Sequence, residues 1–149
     1  MTYVGIDPGK NGGLAFIPEG GKNGPYALPF DKDEYLTTLA AERSNGRLMA
    51  VLERVSAMPK QGVVSTFSFG ENFGWIQGVL ESLSIPYELV RPQQWKKMFG
   101  CPSDKNTSIE VASRLFPAID FRASDRCRKP HDGKCEAMLM AEYARRMFR

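Results

Sequence analysis

The chain has 149 residues, 20 of them Lys or Arg and 17 Asp or Glu, for a formal net charge of +3. That length suits a single domain, residues 1–149, that can bury a core without staples; no leader pattern opens it and no run of about 18 apolar residues spans a membrane, so a cytoplasmic protein is expected. Three cysteines with no CxxC pair and a lone His131 argue for a reducing compartment and against a structural zinc site, and they leave a histidine-based triad only one place to be.

Tyr3 to Ile6 reads as a strand that stops at Asp7-Pro8-Gly9, and a second apolar run starts at Leu14. Strand, glycine-rich turn, strand predicts a β-hairpin with Asp7 at its opening end. Pro8 holds Asp7 extended, and Gly9, Gly12 and Gly13 let backbone lie where side chains would clash with a ligand. Asp7 is either a carboxylate for a metal or phosphate site or the cap of a turn. A third strand is expected near Pro25–Leu28. Asp31 and Glu34 have capping-box spacing for a helix to about Glu42, with Tyr35, Leu36 and Leu39 inward.

Leu48 to Val55 is the strongest strand, apolar on both faces and so expected to be central and parallel. Glu53 interrupts it near the carboxyl end, as Asp7 does on its own strand, and is relieved by Arg54, by a surface location or by a cation; parallel neighbours would bring the two carboxylates to one ion. The stretch from Ser65 to Ser82 reads as a helix. Gly70, Gly74 and Gly78 share one of its faces and suit close approach of the sheet, of a second subunit's helix or of a DNA backbone. Its aromatics, Phe67, Phe69, Phe73 and Trp75, read mostly as core, with base stacking by Phe67 or Phe69 as the other use.

A strand at Pro86–Val90 leads through Arg91 to a short helix from Pro92 to Phe99 that carries Lys96 and Lys97. Lys105 precedes the next helix, which is read as Ile109–Phe116; there it either grips a phosphate together with free amides or faces solvent. The loop 121–130 holds Arg122, Arg126, Arg128 and Lys129. The final helix, 131–147, puts Asp132 and Glu136 on one face, in line with Leu139 or Met140, Tyr143 and Met147 as its buried side. An N-cap role would account for Asp132 but not for Glu136.

Asp7, Glu53, Asp132 and Glu136 thus come from two strands and one helix. Oxygen-only ligands suit Mg²⁺, with Mn²⁺ as substitute, and two such ions would serve phosphodiester cleavage. Setting these four acids aside leaves 20 basic residues facing 13 acids, an acidic pocket in basic surroundings. The element order predicts an α/β, ribonuclease H-like fold: a mixed five-stranded sheet with helices on both faces.

Four motifs in order resemble the RuvC family of Holliday junction resolvases, especially its short phage and prophage members. They are Gly5-Ile-Asp-Pro-Gly9, Leu52-Glu-Arg-Val55, the Ser65-x-Phe67-x-x-Gly70-x-x-x-Gly74 pattern and His131-Asp-Gly-Lys-Cys-Glu-Ala137. The resemblance runs from Tyr3 to about Met147. It implies a homodimeric, metal-dependent endonuclease that cuts four-way DNA junctions by paired nicks leaving 5′-phosphates, in a bacterial host's cytoplasm if phage-encoded. It further implies Asp7, Glu53, Asp132 and Glu136 as metal ligands, Phe67 near the junction centre, and Lys96 or Lys105 against the scissile phosphate. Lys97, Arg122, Arg126, Arg128 and Lys129 are expected to meet the DNA backbone. The last two acids are four apart where cellular members commonly have three, so His131 and Asp132 both stand for the third site position.

Three rival readings accompany this one. An actin-like or sugar-kinase ATPase needs two such domains. A catalytically inactive nucleic-acid-binding protein on the same fold would bind without cutting. A broader branched-DNA nuclease for phage DNA processing would also cut forks and flaps.

Overall fold

The computed structural model describes residues 1–21, 23–102 and 105–149, and of Lys105 the backbone alone. Ten elements follow one another: β1 (Thr2–Asp7), β2 (Gly13–Pro18), β3 (Tyr26–Pro29), α1 (Lys32–Asn45), β4 (Leu48–Glu53), α2 (Val63–Ser82), β5 (Tyr87–Val90), α3 (Pro92–Phe99), α4 (Lys105–Leu115) and α5 (Asp132–Phe148). The strands form one sheet in the order β3-β2-β1-β4-β5. β1, β2 and β3 pair antiparallel, while β4 and β5 extend the sheet from β1 in parallel. The mixed, five-stranded ribonuclease H-like arrangement expected from the sequence is the one observed.

Strand alternation divides the core between two helical layers. Val4, Ile6, Leu14, Phe16, Ala50 and Leu52 pack with Tyr35 and Leu39 of α1 and with Ile76, Val79 and Leu80 of α2. Tyr3, Ala15, Ile17, Val51 and Val90 pack on the other face with Trp95 and Phe99 of α3, Val111 and Ala112 of α4, and α5. Covering both faces is what allows β4 to be apolar throughout, and each large aliphatic side chain so buried contributes roughly 1.5–3 kcal/mol.

α5 is the central helix. From Gly133 to Ala144 every residue is buried, so the single buried stripe expected for it is replaced by burial all round. Its last turn does emerge: Met147, expected inward, is 53% exposed. Small residues let α5 lie directly on the sheet. A Cβ at Gly5 would run into the Ala137 carbonyl and the Ala141 amide, and one at Gly13 would run into Gly133. The helix that carries two of the acids is thereby laid backbone to backbone on the strand that carries Asp7.

Element limits differ from the sequence reading in several places. α1 runs on to Asn45, capped as expected by Asp31, whose carboxylate accepts from the Glu34 amide at 2.9 Å. Leu36 turns outward at 44% exposure, because Tyr35 and Leu39 already fill the sheet-facing side. α2 begins two residues earlier than expected, at Val63, and α4 begins at Lys105. Among the described residues no helix is long and apolar enough to cross a membrane.

Candidate active site

Two strands and one helix deliver the acids. The parallel register pairs Ile6 with Leu52, so the next step sets Asp7 level with Glu53 at the carboxyl ends of β1 and β4. The turn after β1 is held by the Gly12 amide donating to the Gly9 carbonyl at 2.8 Å, and a Cβ on Gly12 would strike the Asp7 carbonyl. The Gly9 amide donates to Asp7 Oδ1 at 3.2 Å. From α5, Asp132 and Glu136 line the same cavity as Asp7, a cleft of about 490 Å³. Glu53 stands at its side, fixed by the Trp95 indole, which donates to Oε2 at 2.8 Å.

The convergence is felt electrically. Burial, then the carboxylates of Glu53 and Glu136, push Asp7 up to about 7, with the Gly9 amide opposing and Asp132 adding to the rise. Glu53 is raised chiefly by burial, the Trp95 hydrogen bond and Lys96 working against it. Lys96 Nζ lies 3.7 Å from Glu136 Oε1 and over the Trp95 ring. Among the described residues no three acidic, histidine or cysteine side chains close into a coordination cage. The donor chemistry nevertheless fits a hard divalent cation: carboxylate oxygens only, mutually repelling, in a cleft whose negative charge an ion would offset.

His131, not Asp132, caps α5: its Nδ1 accepts from the Lys134 amide at 3.2 Å. Burial holds the imidazole pKa below its ordinary value, which keeps it neutral and able to accept. With His131 so engaged, Asp132 is the residue that faces the cleft.

The cationic residues divide. Lys97 is exposed beside Lys96, where both line a shallow pocket of about 300 Å³ with Pro92, Gln93 and Cys101. Arg122 is engaged within the chain, its Nη2 2.7 Å from Asp120 Oδ2. Arg126, Arg128 and Lys129 are exposed on the same loop. That loop is pinned at its base by buried Lys134, whose ammonium donates to the carbonyls of Asp120 at 2.9 Å and Arg122 at 2.8 Å. The Lys105 side chain, expected at a phosphate, lies outside the described residues.

α2 presents two unlike faces. Ser65, Ser68, Phe69 and Asn72, at helical spacing, line the same cleft as the acids. The outer face carries Val63 and Phe67, 86% and 75% exposed, with Gly70, Gly74 and Gly78. A Cβ at any of these three glycines would meet nothing within 4 Å, so close approach to the sheet is ruled out as their purpose. Phe67 is therefore not core, contrary to the expectation for most of these aromatics. Sequence reasoning also missed Trp95 as the partner of Glu53, and Lys10, Asn11 and Asn72 as cleft residues.

A scan against protein-family models gives no match, and a search of curated proteins gives none. Solved structures do match. The structure of RuvC from Thermus thermophilus superposes with a TM-score of 0.56 at 18% identity, covering 98% of this chain and 96% of that one. The T. thermophilus RuvC in complex with Holliday junction substrate gives 0.59 at 14% identity, over 99% and 97%. The fold is of the RuvC type. Identity this low carries the architecture alone. Within this RuvC-type fold, the acids of this chain stand at the carboxyl ends of adjacent parallel strands and at the amino end of the helix that crosses them.

Proposed function

We propose that this chain is a divalent-metal-dependent endonuclease that resolves four-way DNA junctions by paired symmetric nicks, acting as a homodimer. The observation that carries the reading is the meeting of Asp7, Asp132 and Glu136 in one cleft, with Glu53 level with Asp7, on a RuvC-type fold. Asp7, Glu53, Asp132 and Glu136 would hold Mg²⁺ or Mn²⁺, which when bound supplies an activated water and charge stabilisation for phosphodiester cleavage. The protein's own groups orient the DNA. Lys96, Lys97 and Lys105 serve the phosphates near the cleft, Arg122, Arg126, Arg128 and Lys129 the backbone beyond it, and Phe67 stacks at the branch point.

The test is a labelled four-way junction assayed beside forks, flaps and linear duplex in Mg²⁺ and in Mn²⁺. Paired nicks in the junction, with little cutting of linear DNA, are expected. Binding without cleavage in either metal would overturn the nuclease reading, and equal cutting of every branched form would replace it with the broader nuclease.

The outer face of α2 supports the dimer. Beyond Phe67, the open glycines Gly70, Gly74 and Gly78 form a close-approach stripe that suits a second helix, while exposed Phe67 is left to the DNA. Sedimentation at micromolar concentration is expected to give a dimer, and a monomer with and without junction DNA would contradict it.

Arg126→Ala with Arg128→Ala is expected to weaken binding to all branched substrates by a similar factor. The salt dependence of log affinity should flatten by about one unit per lost phosphate contact. An unchanged salt slope would make these two side chains ordinary surface charges.

A further inference from the structure

Asn72 stands apart from the other polar residues of the molecule. It is 8% exposed, a polar residue buried on α2, and its side chain reaches the acid cleft. Its amide makes no hydrogen bond among the described residues. Its amide atoms are not among the fully buried ones left without a partner, so they open onto the cleft. A carboxamide with no partner within the protein, opening onto a cleft of about 490 Å³, is available to a group that enters the cleft.

The neighbouring chemistry narrows what that is. The same cleft carries Asp7, Asp132 and Glu136, with Glu53 level with Asp7, so an incoming phosphodiester meets carboxylates there. A group on the α2 wall that steadies the phosphate must donate hydrogen bonds. A lysine there would do so, yet it would also compete with the cations that the acids require. A carboxamide offers two N–H donors and no net charge. Ser68, one helical turn earlier on the same face, adds a hydroxyl to this neutral wall.

We propose that the Asn72 side-chain amide hydrogen-bonds a non-bridging oxygen of the DNA phosphate in the cleft, making α2 a neutral wall that steadies the phosphate beside the acids that would hold the cations. The inference rests on the nuclease reading above and adds to it a substrate-contacting residue that none of the sequence motifs contains.

The experiment compares the parent protein with Asn72→Leu, which keeps the volume and removes every donor. Single-turnover cleavage of a four-way junction at saturating protein is expected to slow about 10- to 100-fold, the loss of one hydrogen bond to a charged group. Thermal stability should hold, because the volume is kept and no hydrogen bond within the protein is lost. The decisive readout is binding to a junction with a methylphosphonate at the cut position. One diastereomer should weaken the parent by about tenfold more than it weakens Asn72→Leu, since the variant has already lost that contact. A merely structural Asn72, or one that only holds a water, gives the same methylphosphonate penalty in both proteins, and that result overturns the proposal. Cleavage by Asn72→Leu at the parent rate overturns it too. If Asn72→Leu loses cooperative melting, Asn72→Ser takes its place in the same comparison. A parent inert toward the junction sinks the function reading itself, an outcome separate from an active parent matched by its variant.

Discussion

Asp7→Asn is expected to abolish junction cleavage, by about a thousandfold or more, while leaving junction affinity nearly unchanged. The carboxylate belongs to the cluster that would hold the ions, whose transition-state stabilisation is worth several kcal/mol, whereas affinity comes from basic contacts to phosphates. The same substitution has a thermodynamic signature that needs no substrate. Asp7 is raised in the folded protein from 3.8 to about 7, so between those pH values the fold holds a proton that the unfolded chain has released. In chelator, stability is then full below the unfolded value and falls as pH rises through the folded one, at up to about 1.4 kcal/mol per unit. Asp7→Asn should flatten that fall and melt above the parent at pH 8. Mn²⁺ should raise the parent's midpoint and leave the variant's in place. Scanning calorimetry from pH 4 to 8, with and without Mn²⁺, reads all three. A parent midpoint indifferent to both pH and Mn²⁺, or equal loss of cutting and binding in the variant, would remove Asp7 from the site.

Gly5→Ala is expected to cost about 3 kcal/mol or more and to lower the thermal midpoint by roughly 10 °C. The added methyl would enter the space of the Ala137 carbonyl and the Ala141 amide, backbone atoms that cannot rotate away. Lifting α5 to make room would also draw Asp132 and Glu136 from Asp7, so activity per folded molecule should fall with stability. Gly24→Ala is the control: a methyl there meets nothing within 4 Å, so the midpoint should stay close to the parent's. Equal midpoints for Gly5→Ala and the parent would show that α5 does not rest on β1 as described.

Strand-level features were legible because they are local. The apolar run Leu48–Leu52 announces a strand buried on both faces, and the Asp-Pro-Gly turn announces the end of β1. Their parallel adjacency, inferred from Asp7 and Glu53 as two similar interruptions, is observed. Long-range pairings were not legible. The Trp95 indole reaches Glu53 across 42 residues of sequence, and nothing in either segment signals the other. Periodicity marked Leu36 and Met147 as inward, but it cannot tell that Tyr35 and Leu39, or the packed middle of α5, leave no place for them. His131 as N-cap escaped because serine, threonine, asparagine and aspartate dominate that position, which pointed to Asp132 instead. Ser65, Ser68 and Asn72 did carry a helical-spacing signal; the aromatics and glycines interleaved with them masked it.

The burial of α5 on all sides also ranks the molecule's segments by how readily they open. An amide in the middle of α5 exchanges its hydrogen only when the sheet and the neighbouring helices α3 and α4 come apart, which is global unfolding. The stretch from Ser56 through the first turn of α2 is largely exposed and opens at little cost. The reactive acids are thus tied to the most protected unit of the chain, and the apolar rim that would meet a branch point belongs to one of the least. Thermal motion can therefore vary the shape offered to DNA, over many openings and closings, while Asp132 and Glu136 keep their distance from β1.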